Sequence, residues 1–122
     1  MSTTESITVV RMYFKSELTD EDIISIIEPL EPTLNVDRYE GGIGYVSVDE
    51  SKATYRPRLV GAGWCIERIV SYEYECFDSY VSITSDDLDG YLEELMAISG
   101  VDEDRGYEVV SYTWYNGGDE PE

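Results

Sequence analysis

Residues 64–77, WCIERIVSYEYECF, alternate with the period of a β-strand over an unusual length. Ile66, Arg68, Val70, Tyr72, Tyr74 and Cys76 fall on one face, and Glu67, Ile69, Ser71, Glu73, Glu75 and Phe77 on the other. Tyr72, Tyr74 and Cys76 share their side with Val70, so that side is expected in the packed interior. Glu73 and Glu75 are then expected to point away from it, about 6.6 to 6.8 Å apart, twice the rise per residue.

Working back towards the N-terminus, residues 51–63 show no clear period, and Pro57 argues against a central strand there. Before them, LNVDRYE, the turn signal Gly41-Gly42 and IGYVSVDE suggest two short strands or one hairpin. TDEDIISIIEPL (19–30) reads as a helix capped by Thr19, with Asp20, Glu21 and Asp22 in its first turn. Ile23, Ile26, Ile27 and Leu30 form its apolar stripe, and Pro29 ends or kinks it. The opening stretch SITVVRMYF (6–14) alternates, with Ile7, Val9, Arg11 and Tyr13 on one face and Val10, Met12 and Phe14 on the other.

Working forward, a short turn at Asp78-Ser79 leads to an expected strand over SYVSITS (79–85). A second helix comes next, capped by Thr84 or Ser85, with Asp86 and Asp87 in its first turn and Gly100 as its stop. Leu88, Tyr91, Leu92, Leu95 and Ile98 make its buried stripe. YEVVSYTWY (107–115) is a last strand. The pattern predicts an α+β fold: an antiparallel sheet of about five or six strands with two helices on one face, as in a decorated ferredoxin-like sandwich. Residues 1–115 form one domain in this reading, and 116–122 a flexible acidic tail.

Charge is the outlier. The chain of 122 residues holds 27 acids against 8 bases, a net charge of −19, with no histidine. Residues 1–60 carry 11 acids and 6 bases, whereas residues 61–122 carry 16 acids and only Arg68 and Arg105. Such an imbalance opposes folding through self-repulsion, repels nucleic acid and anionic membranes, and steers the molecule towards basic surfaces. Salt adaptation also produces acidic, lysine-poor proteins. Yet eleven tyrosines and ten isoleucines against three alanines are not the small-residue composition expected of a salt-adapted surface. The N-terminus has Glu5 where an export signal would be positive, and Arg11 breaks its apolar run, so a cytoplasmic protein is expected. Cys65 and Cys76 are too few for a disulfide framework; a reduced pair is expected, able to bond only if they lie on neighbouring strands.

Catalytic chemistry finds little support. Without histidine there is no Ser-His or Cys-His pair, and GAG at 61–63 lacks the lysine and helix of a phosphate-binding loop. SDDLDGYLEELM (85–96) imitates a calcium loop, but Ser85 and Met96 stand where the first and the bidentate ligands belong; in the DEDRG stretch Tyr107 replaces the turn glycine. No enzyme, metal or other cofactor is expected.

The acids themselves then become the candidate site. On the second helix Asp86, Asp89 and Glu93 form one stripe with neighbours about 5 to 6 Å apart, and Asp87 and Glu94 run alongside. Together with Glu73, Glu75 and Asp78, and with Asp102, Glu103 and Asp104 as outlying charge, they are the expected partner-binding surface. A duplex carries one charge per roughly 1.7 Å of axis, and rigidly held acidic rows could present a basic cleft with a similar field. In charge and size the chain resembles the acidic inhibitors that phages and mobile elements direct at DNA-handling proteins, such as anti-restriction and anti-CRISPR proteins. That resemblance is compositional and carries over no residue. It implies a non-catalytic DNA or RNA mimic whose partner is a basic nucleic-acid-binding protein, such as a nuclease, a restriction or CRISPR effector, or a toxin. An immunity or adaptor protein docking one basic partner without mimicry is the alternative, and a salt-adapted housekeeping domain the third.

Overall fold

The computed structural model of the chain describes residues 4–76 and 82–121. Among these residues six strands and two helices succeed one another: β1 (Thr4–Tyr13), α1 (Asp20–Ile27), β2 (Asn35–Tyr39), β3 (Gly42–Ser47), β4 (Tyr55–Val60), β5 (Gly63–Cys76), α2 (Ser85–Met96) and β6 (Tyr107–Tyr115), with a 3-10 turn at Glu103–Arg105 before β6. β4, β5, β1 and β6 form, in that order, one antiparallel sheet; β2 and β3 form a separate hairpin. With the hairpin set aside, β1-α1-β4-β5-α2-β6 has the connectivity and strand order of a ferredoxin-like unit, and the hairpin is its decoration.

Both helices start as their sequences predict. Thr19 Oγ1 accepts from the Asp22 amide at 3.2 Å while Asp22 Oδ2 accepts from the Thr19 amide at 2.9 Å, a reciprocal capping box. These bonds from Thr19 hold the Asp22 carboxyl below its ordinary pKa. Thr84, not Ser85, caps α2, accepting from the Asp87 amide at 3.2 Å. α1 ends at Ile27, just before Pro29, and buries Ile23, Ile24 and Ile27; Leu30 remains 39 % exposed, so Ile24 takes the place expected for it. α2 ends at Met96, four residues before Gly100. Gly100 serves the turn after the helix: its φ is +86°, and a Cβ there would lie 2.7 Å from Leu18.

The helices cover one face of the sheet. Val10, Met12, Phe14 and Ile66 from the strands meet Ile23, Ile27, Leu95, Ile98 and Val101 in a single apolar cluster. Each fully buried isoleucine or leucine there contributes roughly 1.5–3 kcal/mol. Ile7, Val9 and Ile69 point to the opposite face, which no helix covers among the described residues, yet Ile7 and Val9 are wholly buried. Curling of the sheet explains this. Arg58 on β4 stacks 5.1 Å from the ring centre of Tyr112 on β6, so the two edge strands approach each other across this concave face. Ala53, Tyr72, Val110, Tyr112 and Trp114 fill the space between them.

Two irregularities in β5 change which residues share a face. Thr8 pairs with Ser71 and Val9 with Ile69, leaving Val70 as an extra, bulged residue; a second shift falls between the Ser6–Glu73 and Thr4–Cys76 pairs. A bulge adds one residue to one strand and reverses the facing of the residues beyond it. Tyr72 therefore joins Ile69 on the concave face, where its hydroxyl donates to Glu5 at 2.7 Å. The expected sharing of one face by Val70 and Tyr72 is thus corrected, and so is the burial expected of Tyr74, which is 56 % exposed. Pro57 lies in β4, an edge strand, where a missing amide is tolerated. The strand expected over 79–85 is not seen in its described part: residues 82–84 lead without pairing into α2, and 79–81 lie outside the described residues, as does the turn expected at Asp78-Ser79. Cys65 and Cys76 both belong to β5, eleven residues and roughly 36 Å apart along an extended strand, so they cannot bond within one chain.

Candidate functional site

Charge is handled in two ways, and the concave face shows the first. Glu67, with no exposed surface, lies between two buried arginines: Arg11 donates from Nε at 2.9 Å and Nη2 at 2.6 Å to Oε2, and Arg56 Nε donates to Oε1 at 2.6 Å. Burial opposes the charge on Arg11, but the field and hydrogen bonds of Glu67 win and raise its pKa. Arg11 reaches Glu108 at 3.4 Å, and Glu108 also accepts from the Tyr13 hydroxyl at 3.0 Å. Glu120, in the segment expected to be a flexible tail, pairs with Arg58 and lies 3.1 Å from Arg56; Arg58 also donates to the Pro121 carbonyl at 2.8 Å. Burial and the nearby Glu67 charge push the Cys65 thiol up to about 12, so it stays protonated and unreactive at neutral pH.

The remaining arginines are also committed. Arg38 ties the hairpin to α1 through Glu28 at 2.7 Å and Glu21 at 3.7 Å. Arg68 pairs with Glu94 at 2.8 Å and stacks on Tyr91, 4.9 Å from its ring centre. Arg105 donates to the Phe14 and Ala62 carbonyls and stacks on Tyr13 at 4.4 Å. All six arginines are thus engaged in contacts within the molecule, whereas among the described residues neither Lys15 nor Lys52 forms a salt bridge, although the Lys52 charge helps hold the Asp49 carboxyl below its ordinary pKa.

The second treatment of charge is on α2. Asp86, Asp87, Asp89, Glu93 and Glu94 are all exposed. Asp86 and Asp87 occupy the first turn, where the helix dipole favours them, and so have a local reason to be acidic. Glu93 and Glu94 stand in the last turn, where the dipole disfavours a negative charge, and no base shares that turn. Arg68 compensates Glu94. Among the described residues no lysine or arginine lies within ion-pair distance of Asp89 or Glu93, although the two sit one turn apart, a like-charged pair that destabilises a helix by about 0.2–0.5 kcal/mol. Nothing among the described residues gives their charge a structural explanation.

The other expected site residues are placed unevenly. Glu73 is exposed, and pairing with Ser6 puts it on the sheet face that carries the helices, the side of α2. The expectation that it shares a face with Glu67 and Ile69 is corrected by the Val70 bulge. Asp78 and the Glu75 side chain lie outside what the structure describes. Asp102 is half-buried and occupied as a cap, accepting from the Asp104 amide at 3.1 Å; Glu103 and Asp104 are exposed. The structure also brings in acids that sequence reasoning set aside. α1 packs on the same side of the sheet as α2, so exposed Asp20, Glu21 and Asp22 belong to the same layer. The signal was available: two helices in β-α-β order, each with one apolar stripe, must cover one face together.

Among the described residues no group of three or more cysteine, aspartate or glutamate side chains is placed to hold a metal ion. Residues 85–96 are one continuous helix, so the calcium-like spacing has no loop to wrap a cation. A cavity of about 590 Å³ between the hairpin and β4 is lined by Ile43, Tyr45, Val46, Pro57, Leu59 and Trp64, with Asp20 and Arg58 at its polar positions. Asp20 there accepts from the Trp64 indole at 2.8 Å, and Arg58 is held by Glu120. No helix among the described residues is long and apolar enough to cross a membrane. No protein-family model, no curated protein and no solved structure matches the chain.

Proposed function

We propose that the chain is a non-catalytic inhibitor that binds a basic nucleic-acid-handling protein by presenting acids in place of a phosphate backbone. The observation that carries this reading is the division of labour among charges. Every arginine turns inward or pairs locally, while Asp89 and Glu93 stay exposed against their own helix electrostatics. Ordinary surfaces intersperse both signs. Keeping unpaired acids on a rigid helix lowers stability slightly, and a basic partner is what would offset it. Because the acids sit on a folded scaffold, little ordering entropy is lost on binding.

Such a contact associates fast at low salt and weakens as the screening length falls below about 8 Å. The test is retention of nucleic-acid-binding proteins on the immobilised chain, with and without competing duplex DNA. The triple variant Glu73→Lys, Asp89→Lys, Glu93→Lys should keep its circular dichroism and lose that retention, and duplex DNA should displace the partner from the unmodified chain. Unchanged retention by the folded variant would remove the acidic face from the mechanism. A ternary complex with DNA would instead identify an adaptor that binds outside the nucleic-acid cleft.

A further inference from the structure

β6 is an edge of the four-stranded sheet, and among the described residues no strand pairs with its outer side. It is nine residues long, YEVVSYTWY, without proline, lysine or arginine. Its one charge, Glu108, is engaged on the concave face by Arg11 and Tyr13. Tyr107, Val109 and Tyr115, which alternate on the other side, are 48 %, 47 % and 71 % exposed. The opposite edge, β4, is protected in the usual ways, being six residues long with Pro57 and two arginines within it. A long edge without such protection is a template for another strand.

What fits it is written in its own sequence. Outward from Ser111 the residues match in pairs: Val110 with Tyr112, Val109 with Thr113, Glu108 with Trp114, and Tyr107 with Tyr115. Two copies running antiparallel about a two-fold axis at Ser111 would place each of these directly opposite its counterpart. Such a register sets tyrosine beside tyrosine and one β-branched residue beside another, pairings that stabilise a sheet, and it sets glutamate against tryptophan, so no like charges meet. We infer that β6 is a homodimerisation strand that joins two four-stranded sheets into one of eight, with the helices of both copies on the same face. A nine-residue edge is a small interface, so the dimer dissociates on dilution. The net charge of −19 on each chain gives the association a distinctive sign: added salt screens the repulsion and strengthens it, whereas a basic strand docking on the same edge would be weakened.

Sedimentation velocity on the full chain, over a range of concentrations at about 0.05 and about 0.5 M sodium chloride, reads the outcome. Dimer should grow with both concentration and salt. Val109→Lys with Thr113→Lys sets lysine against lysine twice and should raise the dimer dissociation constant roughly tenfold or more. Val109→Lys with Thr113→Glu sets each lysine against a glutamate and should restore it, with unchanged circular dichroism in both. A chain that stays monomeric throughout, a dimer indifferent to the double-lysine variant, or a dimer weakened by salt would each overturn the assignment. The acidic face does not enter this inference: Asp89→Lys with Glu93→Lys should leave the dimer symmetric and still sensitive to the β6 variants, so either proposal can fail alone.

Discussion

On the concave face of the sheet, Glu67 is sealed between Arg11 and Arg56, and each neighbouring charge has an opposite within reach. On the outer surface of α2, Asp89 and Glu93 stand exposed with no base within ion-pair distance among the described residues, in a helix whose last turn holds no cation. The same chain, poor in bases, gathers Arg11, Arg56 and Arg58 at one cluster on the concave face and leaves Asp89 and Glu93 without an ion pair among the described residues. Charge on the concave face holds the fold together, because removing any member strands its partners in a poorly solvated place. The charges of Asp89 and Glu93 have no counter-charge in the fold among the described residues, and their energetic footprint is small and unfavourable. That contrast is the basis on which we propose a functional role for Asp89 and Glu93.

The contrast is most exposed at Glu67. Glu67→Gln leaves two buried guanidinium groups facing a neutral amide, and unfolding in urea should show a loss of about 3–5 kcal/mol; a loss below about 1 kcal/mol would mean that the cluster behaves like a surface ion pair and that the two regions do not differ in kind.

Glu31 sharpens the comparison at an intermediate scale. It is 2 % exposed and accepts from the Thr33 amide and hydroxyl and from the Thr54 and Tyr55 amides, tying the loop after α1 to the start of β4. Burial alone would raise its pKa, but these four donors outweigh burial and hold it below the ordinary value. A depressed folded-state pKa means that its contribution is complete above the unfolded value, near about 4.3, and is lost as pH falls through the folded value. Glu31→Ala should cost about 1–3 kcal/mol at neutral pH, and its stability should fall less steeply than that of the unmodified chain on the acid side. Parallel acid limbs for the two proteins would contradict this assignment.

The smallest effect belongs to α2. Neutralising the pair with Asp89→Asn and Glu93→Gln should raise stability by a few tenths of a kcal/mol, since a like-charged pair one turn apart is relieved, and the gain should shrink in high salt. Destabilisation there would show that these acids serve the fold after all.

Much of this architecture was legible in the sequence. The two faces of β1 come directly from alternation in SITVVRMYF, since β1 keeps an even pleat in unbroken register with β6, and the extra residue of the Val70 bulge falls in β5. Thr19 and Thr84 announce the helix starts because capping is a local exchange of hydrogen bonds. Gly41 and Gly42, both at positive φ, mark the hairpin for the same reason. The candidate site was legible only in part. Asp89 and Glu93 could be placed on one stripe from their spacing, but that Glu94 is neutralised by Arg68 depends on a contact between α2 and β5, across 26 positions of sequence.

Sequence alone therefore determined the charge of this protein, the identity of its helices and the alternation of its strands, because each rests on neighbours a few residues apart. Tertiary structure decided how that charge is used. The bulge at Val70 arises from register against Thr8 and Val9, and it moves Tyr72 to the concave face and Glu73 to the helix face. Glu67 reads in the sequence as one more acid in an acidic strand; it became the centre of a buried cluster only when β5 was laid between β1 and β4, with Arg11 on one side and Arg56 on the other. Pairing of opposite charges inside a fold is a long-range event, set by which strands become neighbours, and no local pattern encodes it.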